Sequence, residues 1–234
     1  MNFILDGIKK AIELIVFLDK DILNVLKISL LVSFSATVIA VLVGVPLGAV
    51  IAVKKFPFKK IVITLINTGM GLPPVVVGLV VSLFLFRNGP LGSLQWLYTV
   101  QGMVLAQIII ALPIIMGLTL VAFQSVDKKM YFQILALGAS TSQAIYLLLK
   151  EIRLSVIASV IAGFGSIISE VGAVMMVGGN IKGQTRVLTT AIVLETNKGN
   201  FDIAIALGLI LLIMSFIVNL ALTFIQQRKK IDYD

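Results

Sequence analysis

Apolar residues run in long, nearly unbroken blocks near positions 28–53, 61–86, 100–126, 156–177 and 203–225, with charged and turn-forming residues collected between them. A helix rises about 1.5 Å per residue and about 20 apolar residues cross the hydrocarbon of a bilayer, so each block is long enough to span. The pattern predicts an all-α membrane protein with five spans. Before the first block the period changes: Ile4, Ile8, Ala11, Ile12 and Ile15 recur at helical spacing, while Asp6 with Lys10 and Lys9 with Glu13 stand four apart on the other side. This predicts an N-terminal amphipathic helix within residues 1–22, lying on the membrane surface or packed against the bundle. The opening Met-Asn-Phe-Ile-Leu-Asp-Gly has neither the basic region nor the cleavage site of a secretory signal. The remaining chain divides into a transmembrane domain, 23–226, and a basic tail, 227–234.

Charge orients the spans. The first connection carries Lys54, Lys55, Lys59 and Lys60, and the second carries Arg87 alone, which puts the first connection in the cytoplasm. Alternation then places Lys128, Lys129, Lys150 and Arg153 inside, together with Arg228, Lys229 and Lys230 of the tail. The N-terminus is outside and the C-terminus inside, although Lys182, Arg186 and Lys198 of the fourth connection dilute the bias. A net charge of +8 therefore reads as topology, and no nucleic-acid role is expected. With 59% hydrophobic and 13% charged residues and a mean hydropathy of +1.10, a soluble domain is excluded. The chain has no cysteine and no histidine, so it offers no disulfide, thiol nucleophile, imidazole base, haem ligand or common zinc site. No catalytic residue and no metal site are expected, and the sequence points to transport over catalysis.

The third connection, about 127–153, is apolar over 131–149 but interrupted by Gly138 and by Ser140-Thr141-Ser142-Gln143. A sixth span would bury that polar run at mid-membrane and move the basic tail outside, against both the cost of buried polar groups and the charge rule. Two short cytoplasmic helices joined at Gly138 cost less, and a small apolar knob at the turn suits insertion into a partner's cleft. In the second span, Gly69-Met70-Gly71-Leu72-Pro73-Pro74 marks a kink or a broken helix, because paired prolines remove backbone donors. Arg87-Asn88-Gly89-Pro90-Leu91-Gly92 reads as a tight turn.

Leu137-Gly138-Ala139-Ser140 is similar to the centre of the cytoplasmic coupling loop of permease subunits of ATP-binding-cassette (ABC) importers. Its flanks depart from that pattern: Phe132-Gln133-Ile134 stands where Glu-Ala-Ala is usual, and Leu148-Leu149-Lys150-Glu151 where Ile-x-Leu-Pro is usual. The double-proline span, the Gly-Pro-Leu-Gly turn and the run Glu170-Val171-Gly172-Ala173 through Gly178-Gly179-Asn180-Ile181-Lys182-Gly183-Gln184-Thr185 resemble the molybdate, tungstate and sulfate branch. With Glu195-Thr196-Asn197-Lys198-Gly199-Asn200-Phe201 following, the tungstate subfamily is the nearest match. The resemblance covers about 24–219 and implies a five-span type I ABC importer transmembrane domain. It further implies a second copy of the chain, two copies of a cytoplasmic ABC ATPase that bind ATP and Mg, an extracytoplasmic oxyanion-binding protein, surrounding membrane lipid, and residence in a prokaryotic inner membrane. This chain itself would hold no cofactor. Tungstate is the expected cargo, with molybdate and then sulfate as competitors.

Pathway or gate candidates are Pro73, Pro74, Glu170, Gly179, Asn180 and Thr185. Glu170 is the one carboxylate inside a predicted span and is either a structural acceptor between helices or a gating group. Gly178 to Thr185 spells a sequence one residue from a phosphate-binding loop, but Gln184 replaces its lysine and the segment follows a span instead of a strand. Two other classes are weaker. A membrane enzyme would need several titratable groups at one face, and a gradient-driven transporter would need paired broken helices or a chain of titratable groups.

Overall fold

The computed structural model describes residues 3–16 and 20–227; the basic tail with Arg228, Lys229 and Lys230 lies outside the described residues. The described residues form eleven α-helices and no strand. The five unequal blocks of the hydropathy pattern become three unbroken long helices and two bent pairs, which make five crossings if each pair counts as one. The unbroken helices are α2 (Lys20–Val53), α5 (Val100–Gln124) and α11 (Phe201–Gln227). The first bent pair is α3 (Lys59–Met70) with α4 (Pro74–Leu85), turned by 102°, and the second is α8 (Arg153–Ile168) with α9 (Gly172–Gly178), turned by 59°.

The turn between α3 and α4 follows from the two prolines. A residue before proline is driven out of the helical region, and Pro73 sits at φ −61°, ψ 122°, extended. Pro74 then opens α4, where a missing N–H costs nothing. The break between α8 and α9 has neither proline nor glycine within it and was not expected; the predicted fourth span is not one straight helix. The first span also begins eight residues earlier than the apolar block, at Lys20, and the fourth connection contains a helix that the pattern did not predict, α10 (Leu188–Asn197).

α5 is the central helix, packed against α2, α3, α4, α8 and α9. Lipid tails are as apolar as leucine, so close packing at small residues has to hold such a bundle together. A Cβ on Gly48 of α2 would lie 2.6 Å from the carbonyl oxygen of Met116 on α5, so the two backbones touch. A Cβ on Gly78 of α4 would lie 2.6 Å from the Cα of Ala173 on α9, which brings the second halves of the two bent pairs together.

The N-terminal helix α1 (Phe3–Val16) packs against α11. Gly7 meets Ile205 there and Ala11 is buried, while Leu5, Ile8 and Ile12 face outward. The helix is thus seated on the bundle by Gly7 and Ala11, and Leu5, Ile8 and Ile12 are left for the surroundings. Its ion pair is Lys10 with Glu13, at 3.1 Å and three residues apart, in place of the expected i,i+4 pairs. Lys182 bonds Asp21 at 2.5 Å, so the start of α2 and the loop after α9 lie at one end of the bundle. Lys59 donates to the carbonyls of Ala52 (2.8 Å) and Lys54 (3.0 Å) and closes the far end of α2.

Candidate functional site

Two short helices project beyond the end of α5: α6 (Lys128–Ala136) and α7 (Thr141–Glu151). Each starts with a cap that the sequence supplies. Asp127 accepts from the backbone N of Lys129 at 2.9 Å. Ser140 and Gln143 form a reciprocal capping box, with Ser140 Oγ accepting from Gln143 N at 3.3 Å and Gln143 Oε1 from Ser140 N at 2.8 Å. Between them Gly138 takes φ +91°, a conformation that costs an L-residue about 1–2 kcal/mol. Its N–H donates to Leu135 O at 3.0 Å. Nothing lies within 4 Å of where a Cβ would stand, and Leu137 is 88% exposed. The base of the hairpin is fixed: Leu148 and Ile152 are buried in one cluster with Ala49 of α2 and Phe123 of α5. The elbow Leu137–Gly138–Ala139–Ser140 is a rigidly seated, apolar, exposed tip.

The other candidates gather around the two helix breaks. Val75, next to Pro74, meets Gly172 at the start of α9, where an added Cβ would lie 2.6 Å from Val75 Cγ2 and 3.4 Å from Glu170 Oε1. Pro73, Pro74 and Glu170 therefore flank one junction. A bent helix frees backbone groups that must find partners. Here Gln107 of α5 donates through Nε2 to Ile167 O at 3.0 Å, and the Thr189 hydroxyl of α10 donates to Glu170 O at 2.9 Å. The carboxylate of Glu170 accepts from Ala173 N at 3.0 Å and so caps α9. Ser29 of α2 donates to Val25 O at 2.7 Å and accepts from Leu188 N at 2.9 Å, capping α10 from a neighbouring helix.

Ser29, Ser33, Gln107, Glu170 and Thr189, together with Ile168, Val187 and Leu188, line a chamber of about 10 Å³. About one water fills that volume. A tetrahedral oxyanion does not fit in that volume. Gln107 Oε1 is buried there without a hydrogen-bond partner. The sequence reading missed Ser29, Ser33, Gln107 and Thr189. A signal was present for two of them, since Ser29, Ser33 and Thr37 fall four apart on one face of α2.

Gly179, Asn180 and Thr185 belong to the loop after α9, away from the chamber lining. Gly179 ends α9 at φ +71° with the Tyr98 ring against it. Asn180, at φ +52°, accepts from Arg186 Nε at 3.2 Å. Thr185 is buried; its hydroxyl donates to Gly178 O and accepts from Ile181 N at 3.0 Å. The hydroxyl that a phosphate-binding loop would offer to magnesium is thus spent inside this loop. Further on, Glu195 accepts from Asn200 Nδ2 at 2.7 Å and Lys198 Nζ at 2.8 Å. Asn200 first, then Lys198, hold its carboxyl below the ordinary value.

Paired broken helices are the feature expected of a gradient-driven transporter, but the junction holds one carboxylate and no chain of titratable groups. Comparison with known proteins decides the class. Residues 44–231 match the family described as "Binding-protein-dependent transport system inner membrane component". The chain is 39% identical over 227 residues to the tungstate uptake system permease protein TupB of Peptoclostridium acidaminophilum, covering 97% of this chain and 100% of that one. It is 36% identical to the TupB protein of Campylobacter jejuni, over 94% and 92% of the two chains. Identity to the sulfate transport system permease protein CysW of Escherichia coli K12 is 28%, over 91% and 77%. The chain is a multi-pass membrane protein and belongs to the family of inner-membrane components of binding-protein-dependent transport systems.

Proposed function

We propose that this chain is the permease subunit of an ATP-driven ABC importer for tungstate. The observation that carries the cargo is the near-full-length similarity to two permeases named for tungstate uptake, against lower identity to a sulfate permease. Two copies form the pathway, an external binding protein delivers the oxyanion, and each Gly138 elbow docks into a cytoplasmic ATPase that binds ATP and Mg. The N-terminus faces outward, because the end of the bundle with Lys54, Lys55, Lys59, Lys60, Lys128 and Lys129 carries the heavier positive charge.

The mechanism follows from what is rigid and what is broken. The elbow is tied through Leu148 and Ile152 to the ends of α2 and α5, so a pull on it is transmitted to those long helices as bodies. α5 carries Gln107 and α2 carries Ser29 and Ser33, three of the five polar residues lining the chamber. Movement of α2 and α5 against the α8–α9 bend opens the chamber without unfolding any helix. The side chains then available to a dianion are hydroxyls and a carboxamide N–H, which can bind oxyanion oxygens weakly and release them. Glu170 faces Ala173 N, which keeps its charge engaged at the start of α9. Selectivity belongs to the binding protein and direction to ATP hydrolysis.

The test is cellular tungsten and molybdenum content with the gene intact and deleted, at trace oxyanion and with excess sulfate as competitor. Loss of tungsten uptake alone is expected. Loss of molybdenum as well, or of sulfate-sensitive uptake, moves the cargo; no change in any oxyanion refutes the reading.

A further inference from the structure

The four lysines after α2 flank a turn that topology alone does not explain. The turn reads Lys54-Lys55-Phe56-Pro57-Phe58-Lys59-Lys60, and Phe58 is 74% exposed at its tip in the left-handed conformation. Behind it opens a cavity of about 710 Å³ between the end of α2, the end of α5 and the base of the α6–α7 hairpin. Its inner wall is apolar, formed by Val53, Phe123, Val126 and Leu148. Its polar lining carries three lysines, Lys55, Lys59 and Lys128, against one carboxylate, Asp127. Asp127 caps α6, and Lys59 is held by the carbonyls of Ala52 and Lys54, which leaves Lys55 and Lys128, exposed side chains from two different elements, to meet a ligand.

We infer that this cavity is a binding site for one anionic phospholipid, with the phosphate between Lys55 and Lys128 and the glycerol end of the acyl chains along the apolar wall. The cavity is many times larger than an inorganic oxyanion, so a small anion leaves the apolar wall uncovered. It lies where the apolar helices α2 and α5 end and α3 begins, and the passage from its apolar wall to its basic rim matches the change from hydrocarbon to headgroup at a membrane surface. A phospholipid has both chemistries and is present there at high local concentration. Basic residues near an anionic leaflet contribute about 1 kcal/mol each, or roughly fivefold in affinity. Because α6 and α7 also line the cavity, the lipid bridges the first connection and the elbow hairpin, so the leaflet's charge acts on the position of the elbow. Placement in the inner leaflet rests on the orientation proposed above.

The test uses the full-length permease in nanodiscs of phosphatidylglycerol and phosphatidylethanolamine in equal parts, with retained lipid counted by native mass spectrometry. The wild type is expected to retain phosphatidylglycerol preferentially, by roughly 25-fold for two lysines. K55Q/K128Q loses that preference, while K9Q/K20Q, which alters lysines outside the cavity, keeps it. Equal retention in K55Q/K128Q and wild type overturns the site, as does equal loss in K9Q/K20Q. Displacement of the lipid by millimolar inorganic phosphate also overturns it, in favour of a small-anion site. The orientation is tested separately: the chain has no cysteine, so K55C gives a single thiol. Labelling of that thiol from outside intact cells refutes the inner-leaflet placement and leaves the nanodisc result standing.

Discussion

Substitution of Gly138 separates backbone strain from docking, because the two effects have different sizes. Its φ of +91° makes any L-residue unfavourable there, and the open space around it removes steric clash within the chain. G138A therefore adds only the backbone cost, about 1–2 kcal/mol. That corresponds to roughly a 5- to 30-fold smaller population of the elbow conformation, and the apparent affinity for the ATPase falls by the same factor. G138N costs less, since asparagine enters the left-handed region more readily. G138W carries a similar backbone cost and adds an indole at the tip that is too large for the partner's cleft under the proposed docking. The expected order of ATPase affinity is Gly, Asn, Ala and, with no measurable complex, Trp. All three variants insert normally, because the hairpin is held at its base by Leu148 and Ile152 and not at its tip. The assay is titration of the purified ATPase onto permease in nanodiscs, with co-purification from membranes as the cellular check. If G138W binds the ATPase as tightly as G138A does, strain accounts for the whole effect and the elbow is not the docking element.

Three further outcomes follow from the packing and the charges. G78V forces a Cβ against the α9 backbone at Ala173 and should lower stability by about 1–3 kcal/mol, whereas G165A, with nothing within 4 Å, should not; thermal unfolding followed by the single Trp96 compares them. E170A removes the cap on α9 and should cost about 1 kcal/mol, while E170Q keeps an oxygen for Ala173 N and should match the wild type in stability and uptake; an E170Q as unstable as E170A refutes the capping role. Asn200 and Lys198 lower the Glu195 carboxyl in the folded state, so their contribution is complete above the unfolded carboxylate pKa and is lost as pH falls through the lower folded value. Protease protection of the 195–200 segment should fall in acid for the wild type and show no such dependence in E195Q.

Signals carried by neighbouring residues located most of the helices, whereas features set by residues elsewhere in the chain were not legible. Blocks of apolar residues located the long helices, and the capping residues Asp127, Ser140 and Gln143 lie within three positions of the groups they satisfy, so the two-helix hairpin was legible. Pro73 and Pro74 announced the first break because proline acts on its own backbone. N-terminal ion pairs were expected four apart and one forms three apart, a difference of side-chain reach that spacing alone does not resolve.

The second break shows why the chamber was not legible. Residues 169–171 read Ser-Glu-Val, with nothing that forbids a helix, and at the bend the groups that meet the backbone come from far along the chain: Thr189, 19 residues beyond Glu170, donates to its carbonyl, and Gln107, 60 residues away from Ile167, adds a second bond to a carbonyl that also accepts from Glu170 N. A buried carbonyl left unsatisfied in hydrocarbon costs several kcal/mol, so the Thr189 bond to Glu170 O favours the bent form. Both donors line the chamber. On the pathway proposed above, the groups that bond across the bend are also the groups that an oxyanion parts, and removing either donor should alter helix geometry and passage together. A Q107L variant that keeps the α8–α9 bend, seen as an unchanged distance between spin labels on the two helices, and transports normally would separate the two roles and refute their identity.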